Sequence, residues 1–261
     1  MSTHTPRKRF GQNFLHDQNV IGKIVAAIHP QPDDNLIEIG PGQGALTCQL
    51  LPKVKAMQAI ELDRDLIPLL EESCAPIGEL TIHSSDVLKF DFTTLFQPNR
   101  PLRVVGNLPY NISTPLIFHL LEHHTLIADM HFMLQKEVVD RMAAAPNSSA
   151  YGRLSIMVQQ LCKVEPLFTI GPGAFNPPPK VHSSVVRLTP WETPPVTIND
   201  QQRFSDIVTA AFAQRRKTLR NGLKQLVTPQ QFSAAGIDPS RRAETLTLKE
   251  FASLSNQEIE P

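Results

Sequence analysis

The chain has 261 residues, 41% of them hydrophobic and 19% charged, with 25 basic residues against 25 acidic ones. That length holds one large domain or one domain with a small appendage, and a formal charge of zero excludes a uniformly basic nucleic-acid binder. Cys48, Cys74 and Cys162 lie far apart with no CxxC spacing, which argues against a disulfide framework and a thiolate metal site.

The N-terminus carries Arg7, Lys8 and Arg9 but no apolar stretch of the secretory kind, and no apolar run approaches membrane-spanning length. A cytoplasmic protein without a membrane partner is expected. Continuously apolar runs at Leu36–Ile39, Met57–Ile60, Leu80–His83, Leu102–Val105 and Met130–Leu134 predict strands buried on both faces. Between them, Leu46–Leu51, Leu66–Cys74 and Pro115–His123 keep helical spacing. Such alternation predicts an α/β fold, a mostly parallel sheet with helices on both faces. Leu154, Met157, Val158 and Leu161 are helix-spaced, and Val164–Ile170 and Ser184–Leu188 read as two further strands, expected to be antiparallel. The proline-rich TPWETPPVT stretch, 189–197, reads as a linker. Beyond it Phe204, Ile207, Val208, Ala211, Phe212, Leu219, Leu223 and Leu226 share one helical face. The expected division is an α/β domain over 1–190 and a small helical domain over 191–261.

Charge is unevenly spread. Residues 57–95 carry eight carboxylates against Arg64 and Lys89, whereas 203–224 carry six basic residues against Asp206. Arg216, Arg220 and Lys224 are four apart and predict a basic stripe on one helix, widened by Arg215 and Lys217, of a kind that suits RNA phosphates. His119 and His123 are also four apart on a predicted helix, but no third ligand is expected beside them and no metal site is assigned.

The stretch NLIEIGPGQGALT is a strand, then Gly40, Gly42 and Gly44, then a helix. Glycines let a backbone turn sharply against a ligand. Glu61, at the end of the next strand, is placed to accept hydrogen bonds from ribose hydroxyls. The same glycines satisfy GxGxxA, so a dinucleotide site stays open at this point. Glu38 before the first glycine, giving ExGxGxG, and Asp86 after the third strand instead resemble the S-adenosylmethionine loop and adenine-binding acid of class I methyltransferases.

VVGNLPYNIST, 104–114, ends a strand with Asn107-Leu108-Pro109-Tyr110. The exocyclic amine of adenine is a poor nucleophile because its lone pair is delocalised into the ring. The Asn107 side-chain oxygen and the Leu108 carbonyl are candidate acceptors for its two N–H groups. Pro109 fixes the backbone between them, and Tyr110 offers a face on which a base can stack. NLPYNIST following EIGPGQGALT, ELD and SDVLKFD resembles the KsgA/RsmA family, the ribosomal RNA small-subunit adenine dimethyltransferases. KRFGQNFL, QKEVVDRM, YGRLSIMVQ, FNPPPKVHSSVVRL, AFAQRRKTLRNGL and RAETLTLKEF match its remaining blocks in order, over nearly the whole chain.

The resemblance implies a class I methyltransferase fold with a small C-terminal helical domain, and S-adenosylmethionine as cofactor. It implies that Asn13, Leu15, Gly40, Glu61, Asp86 and Asn107 bind the cofactor. Asn107, Leu108 and Tyr110 would hold the target base, with Phe175 as a second aromatic wall opposite Tyr110. The implied substrate is a pair of adjacent adenosines near the 3′ end of 16S rRNA in the 30S subunit or its precursor, the implied role is in subunit biogenesis, and a monomer is expected.

Overall fold

A computed structural model describes residues 12–74, 76–214 and 216–258. Its elements in chain order are β1 (Phe14–Leu15), α1 (Gln18–Ile28), β2 (Asn35–Ile39), α2 (Thr47–Leu50), β3 (Ala56–Glu61), α3 (Ile67–Cys74), β4 (Glu79–Ser84), β5 (Leu102–Asn107), α4 (Ser113–Glu122), β6 (Ile127–Gln135), α5 (Lys136–Ala143), α6 (Arg153–Gln159), β7 (Cys162–Ile170), β8 (Phe175–Asn176), β9 (Ser183–Pro190), α7 (Gln201–Ala213), α8 (Leu219–Gly222), α9 (Pro229–Ala234) and α10 (Leu248–Ser255).

Two compact units emerge. The first comprises 1–139 and 165–190, the second 140–164 and 191–261. The expected division at residue 190 therefore needs a correction, because residues 140–164 pack with the C-terminal segment. Tyr151, Ile156 and Ala144 share one buried cluster with Phe204, Ile207, Leu223 and Phe251. The Tyr151 hydroxyl donates to the Leu246 carbonyl at 2.8 Å.

In the first unit a seven-stranded sheet runs in the order β4-β3-β2-β5-β6-β9-β7, with helices on both faces. Strands β4 through β6 pair in parallel, and β9 is antiparallel to β6. The chain leaves β2 toward one edge through β3 and β4, then returns to the other side of β2 with β5. The carboxyl ends of β2 and β5 thus border a topological switch point, the usual place for a ligand crevice in open α/β sheets. Every residue of β2 is buried, as a central parallel strand requires, whereas β4 at the sheet edge has no fully buried residue.

The opposite ends of the same strands are held by Arg103 on β5. Its guanidinium pairs with Asp34 and with Asp129 at 2.8 Å, and donates to the Ile28 carbonyl at 2.6 Å. Separately, β1 and β8 form a two-stranded ladder, Phe14 opposite Asn176 and Leu15 opposite Phe175. The second unit is helical, with α6, α7, α8 and α10 packed around Phe204, Val208, Leu219 and Phe251.

Candidate active site

Asn13 and Asn107, 94 residues apart in sequence, meet at the switch point. A pocket of about 340 Å³ is lined by residues 12–15, 38–43, 45–46, 60–62, 66, 85–88 and 107–112. Gly40, Gly42 and Gly44 all adopt positive φ, between 59° and 81°. Gly42 shows why: besides its left-handed backbone, a Cβ there would sit 3.1 Å from the Phe14 ring. Gly106 answers to close approach instead, since its Cβ would lie 2.5 Å from the Ile39 carbonyl oxygen on the neighbouring strand.

Two buried carboxylates organise the floor. Glu38 accepts from the Thr47 hydroxyl at 2.6 Å, and burial pushes its pKa up to about 7, with Glu61 adding to the rise. Glu61 accepts from the Gly42 N–H at 3.1 Å and the Asp63 N–H at 2.8 Å. Burial raises its pKa as well, against those two hydrogen bonds. Asp86 caps the short turn after β4, taking the Leu88 N–H at 3.0 Å. Gln12 donates to Asp63 at 3.0 Å and so ties the N-terminal segment over this edge of the pocket.

The Asn107 amide is oriented by its partner. Its Nδ2 donates to the Asn13 main-chain carbonyl at 3.0 Å. A carbonyl can only accept, so the nitrogen end of the amide is committed there and the oxygen end is left to accept from a ligand. Leu108 is buried, and its N–H donates to the Met133 carbonyl at 3.1 Å, which locks the loop to β6. The Tyr110 hydroxyl lies 2.7 Å from that of Ser183, a residue with no exposure. The Ser113 hydroxyl and the Ile112 N–H bond back to the carbonyls of Tyr110 and Pro109, turning the loop directly into α4.

The charge of the lining bears on the two cofactor readings left open by the glycines. Glu38, Glu61 and Asp86 line the pocket, and no lysine or arginine does among the described residues. The α-helix after the glycine loop is one turn, Thr47–Leu50, and a 3-10 turn over Leu51–Lys53 continues it. A dinucleotide pyrophosphate is favoured by positive potential, which the described lining residues do not supply. A sulfonium cation suits this lining.

Asn13, Leu15, Gly40, Glu61, Asp86, Asn107, Leu108 and Tyr110 are thus brought to one pocket. Phe175 is not among its lining residues. It is 2% exposed, packed in the core beneath, where its backbone pairs with Leu15. Among the described residues, the aromatic rings that line the pocket are Phe14 and Tyr110, and Phe14 sits inside the KRFGQNFL motif, where it could have been found.

The basic segment also differs from the expected stripe. Helix α7 stops at Ala213, Arg216 and Lys217 follow in a turn, Arg220 sits on the single-turn α8 and Lys224 in the next turn. All four are exposed, and Arg215 lies outside the described residues. Main-chain bonds from Leu219 to Arg241 and from Arg220 to Pro239, with a bridge between Thr218 and Arg242, bring exposed Arg242 beside them. A basic patch is built, but from turns strapped together and not from one helix face. Arg242 belongs to the RAETLTLKEF block.

Comparison with known proteins agrees with this geometry. The family profile described as ribosomal RNA adenine dimethylase matches residues 3–259. The chain is 58% identical over 256 residues to a protein named ribosomal RNA small subunit methyltransferase A from Saccharophagus degradans, covering 98% of this chain and 96% of that one. The chain belongs to the ribosomal RNA adenine dimethylase family. Another relative of the same name, from Pseudomonas aeruginosa, is 58% identical and covers 97% of this chain and 95% of its own. Among solved structures, a dimethyladenosine transferase from Plasmodium falciparum superposes with a TM-score of 0.79 at 28% identity, over 92% of this chain and 95% of that one. The 23S rRNA methyltransferase ErmE superposes at 0.73 with 22% identity over 93% and 98%, a likeness of fold. The protein is accordingly a class I methyltransferase, and this member of the dimethylase family uses S-adenosylmethionine.

Proposed function

We propose that the protein dimethylates the N6 amines of two adjacent adenosines in a hairpin loop near the 3′ end of 16S rRNA. It would act on the small ribosomal subunit or its precursor in the cytoplasm, during subunit biogenesis. The observation that carries this reading is the Asn107 amide, a lining residue of the pocket whose nitrogen is committed to the Asn13 carbonyl, which leaves its oxygen to accept from a ligand.

Glu61 would hold the cofactor's ribose, Asp86 its adenine amine, and the Gly40 loop with Asn13 and Leu15 its methionine end. S-adenosylmethionine supplies a methyl group already activated by a positively charged sulfur. What remains for the protein is orientation and charge placement. Asn107 Oδ1 and the Leu108 carbonyl would accept the two amine hydrogens and draw the nitrogen toward a pyramidal shape, with its lone pair aimed along the line to the methyl. No ionised base is needed, because the methylated aminium sheds its proton readily to water. Tyr110 would stack on the target base, its ring held by Ser183. Arg216, Lys217, Arg220, Lys224 and Arg242 would grip phosphates of the RNA, joined by Arg215 in the same segment.

The test is direct. Purified protein, labelled S-adenosylmethionine and unmethylated small subunits should yield N6,N6-dimethyladenosine in digested 16S rRNA, and large subunits should yield none. Label in 23S rRNA alone would replace this substrate with the resistance-type one.

A further inference from the structure

Away from the pocket, the C-terminal end of α4 carries His119, Glu122 and His123, whose candidate ligand atoms all lie within 4.8 Å of one another. The pair expected to stand without a third ligand therefore has one. Residues three and four apart on a helix share a face, and the turn of chain that caps α4 keeps His123 on it.

The hydrogen bonding of His119 fixes which nitrogen is available. Its Nε2 lies 2.9 Å from the Phe90 main-chain oxygen. That oxygen accepts only, so Nε2 carries the hydrogen, and in the neutral ring the lone pair sits on Nδ1. Nδ1 faces Glu122 Oε2 at 3.5 Å. In the neutral ring two lone-pair-bearing atoms thus face each other, and either a proton or a metal cation between them satisfies both. A main-chain carbonyl holding the far nitrogen is also how proteins commonly orient a metal-ligating histidine. The His123 ring stands at 87° to that of His119 with centroids 5.4 Å apart, and wholly buried Phe92 packs against both rings. The two imidazoles are therefore braced from below, while Glu122, 72% exposed, is free to rotate onto an ion.

We infer that His119, Glu122 and His123 form a binding site for a divalent transition-metal ion of the zinc or nickel class. Two imidazoles and one carboxylate suit such borderline ions and not magnesium or calcium, which prefer all-oxygen shells. Bonds of about 2.0–2.2 Å to each ligand draw the three groups inward by roughly an ångström from where they stand. The remaining positions stay open to water, so the ion exchanges. Polarising the imidazole strengthens the His119 bond to Phe90, and so fastens α4 to the segment that follows Asp86.

Untagged, chelator-stripped protein titrated with zinc chloride and with nickel chloride at pH 7.5 tests this by calorimetry. One saturable site is expected, with magnesium chloride giving none. Affinity should fall at least tenfold in His123→Ala and in His119→Ala, and severalfold in the exposed Glu122→Gln, whose fold is not at stake. Cys48→Ala should leave it unchanged, excluding the half-buried thiol. No saturable heat, or an affinity that Glu122→Gln and His123→Ala both retain, would leave only a protonated histidine–carboxylate pair and overturn the assignment.

Discussion

The hydroxyls of Tyr110 and Ser183 lie 2.7 Å apart, joining the loop after β5 to the first residue of β9. Seventy-three residues of chain separate them, and burial holds the Tyr110 phenol above its ordinary pKa, so the pair is neutral. The bond fixes the plane of the ring on which a base would stack. Ser183→Ala should cost about 1 kcal/mol of stability and lower the methyl-transfer rate severalfold with cofactor affinity intact. Tyr110→Phe should do much the same, and the double variant should add little to either. Additive losses in single-turnover assays would mean that the two hydroxyls act separately.

Glu61 has two tasks, holding the Gly42 and Asp63 amides and, as proposed, accepting from the cofactor. Glu61→Gln keeps one acceptor for the amides and removes the charge. Hydrogen bonds to charged groups are worth about 1.5–3 kcal/mol, so S-adenosylmethionine should bind roughly tenfold or more weakly to a folded variant. Calorimetry showing unchanged affinity would remove Glu61 from the cofactor site.

Glu38 predicts a pH dependence with a definite sign. Its folded pKa, about 7, stands above its ordinary value of 4.5 because of burial. The folded state therefore binds the proton more tightly than the unfolded one. Stability from this group is full below pH 4.5, declines as pH rises through the interval, and is gone above 7. The difference corresponds to about 3 kcal/mol. Glu38→Gln, still able to accept from Thr47, should match the parent at pH 4 and exceed it by up to that amount at pH 8. Denaturant melts at the two pH values measure this, and parallel stabilities would place the ionised carboxylate in a better-solvated setting.

Arg216→Glu with Arg220→Glu should weaken RNA binding and flatten its salt dependence, because fewer counterions are released. Cofactor affinity should not move. A parent-like salt slope in filter binding would reduce the patch to a solvated surface.

The central strands were legible because parallel strands buried on both faces read as unbroken apolar runs. Edge strand β4 shows the limit: its sequence run is apolar enough to find, yet the strand is half exposed. The pocket was legible through residues that chemistry singles out, Glu61, Asp86 and Asn107. Phe175 was misplaced because a motif gives order along the chain and not depth, and a two-residue ladder with β1 has no periodicity to read. The basic stripe failed for a related reason. Buried Leu219 and Leu223 continue the apolar period of α7 by coincidence, from a separate one-turn helix and the residue that caps it, positioned by main-chain bonds to Pro239 and Arg241. Likewise the affiliation of 140–164 with the C-terminal unit rests on contacts such as Tyr151 to Leu246, which no local pattern announces.

The role of Asn107 is tested most directly by single-turnover methylation of small-subunit RNA with Asn107→Ala, resolving monomethyl- and dimethyladenosine. The oxygen left free by the Asn13 carbonyl is proposed to accept from the amine chiefly as the nitrogen pyramidalises, so its loss falls on the chemical step. The rate should drop by about 10²–10³ with S-adenosylmethionine still bound. Residual product should be mostly monomethyladenosine, because the second transfer starts from a nitrogen with a single N–H. Retention of both methylation rates within a factor of a few would contradict the assignment of Asn107 to the target amine.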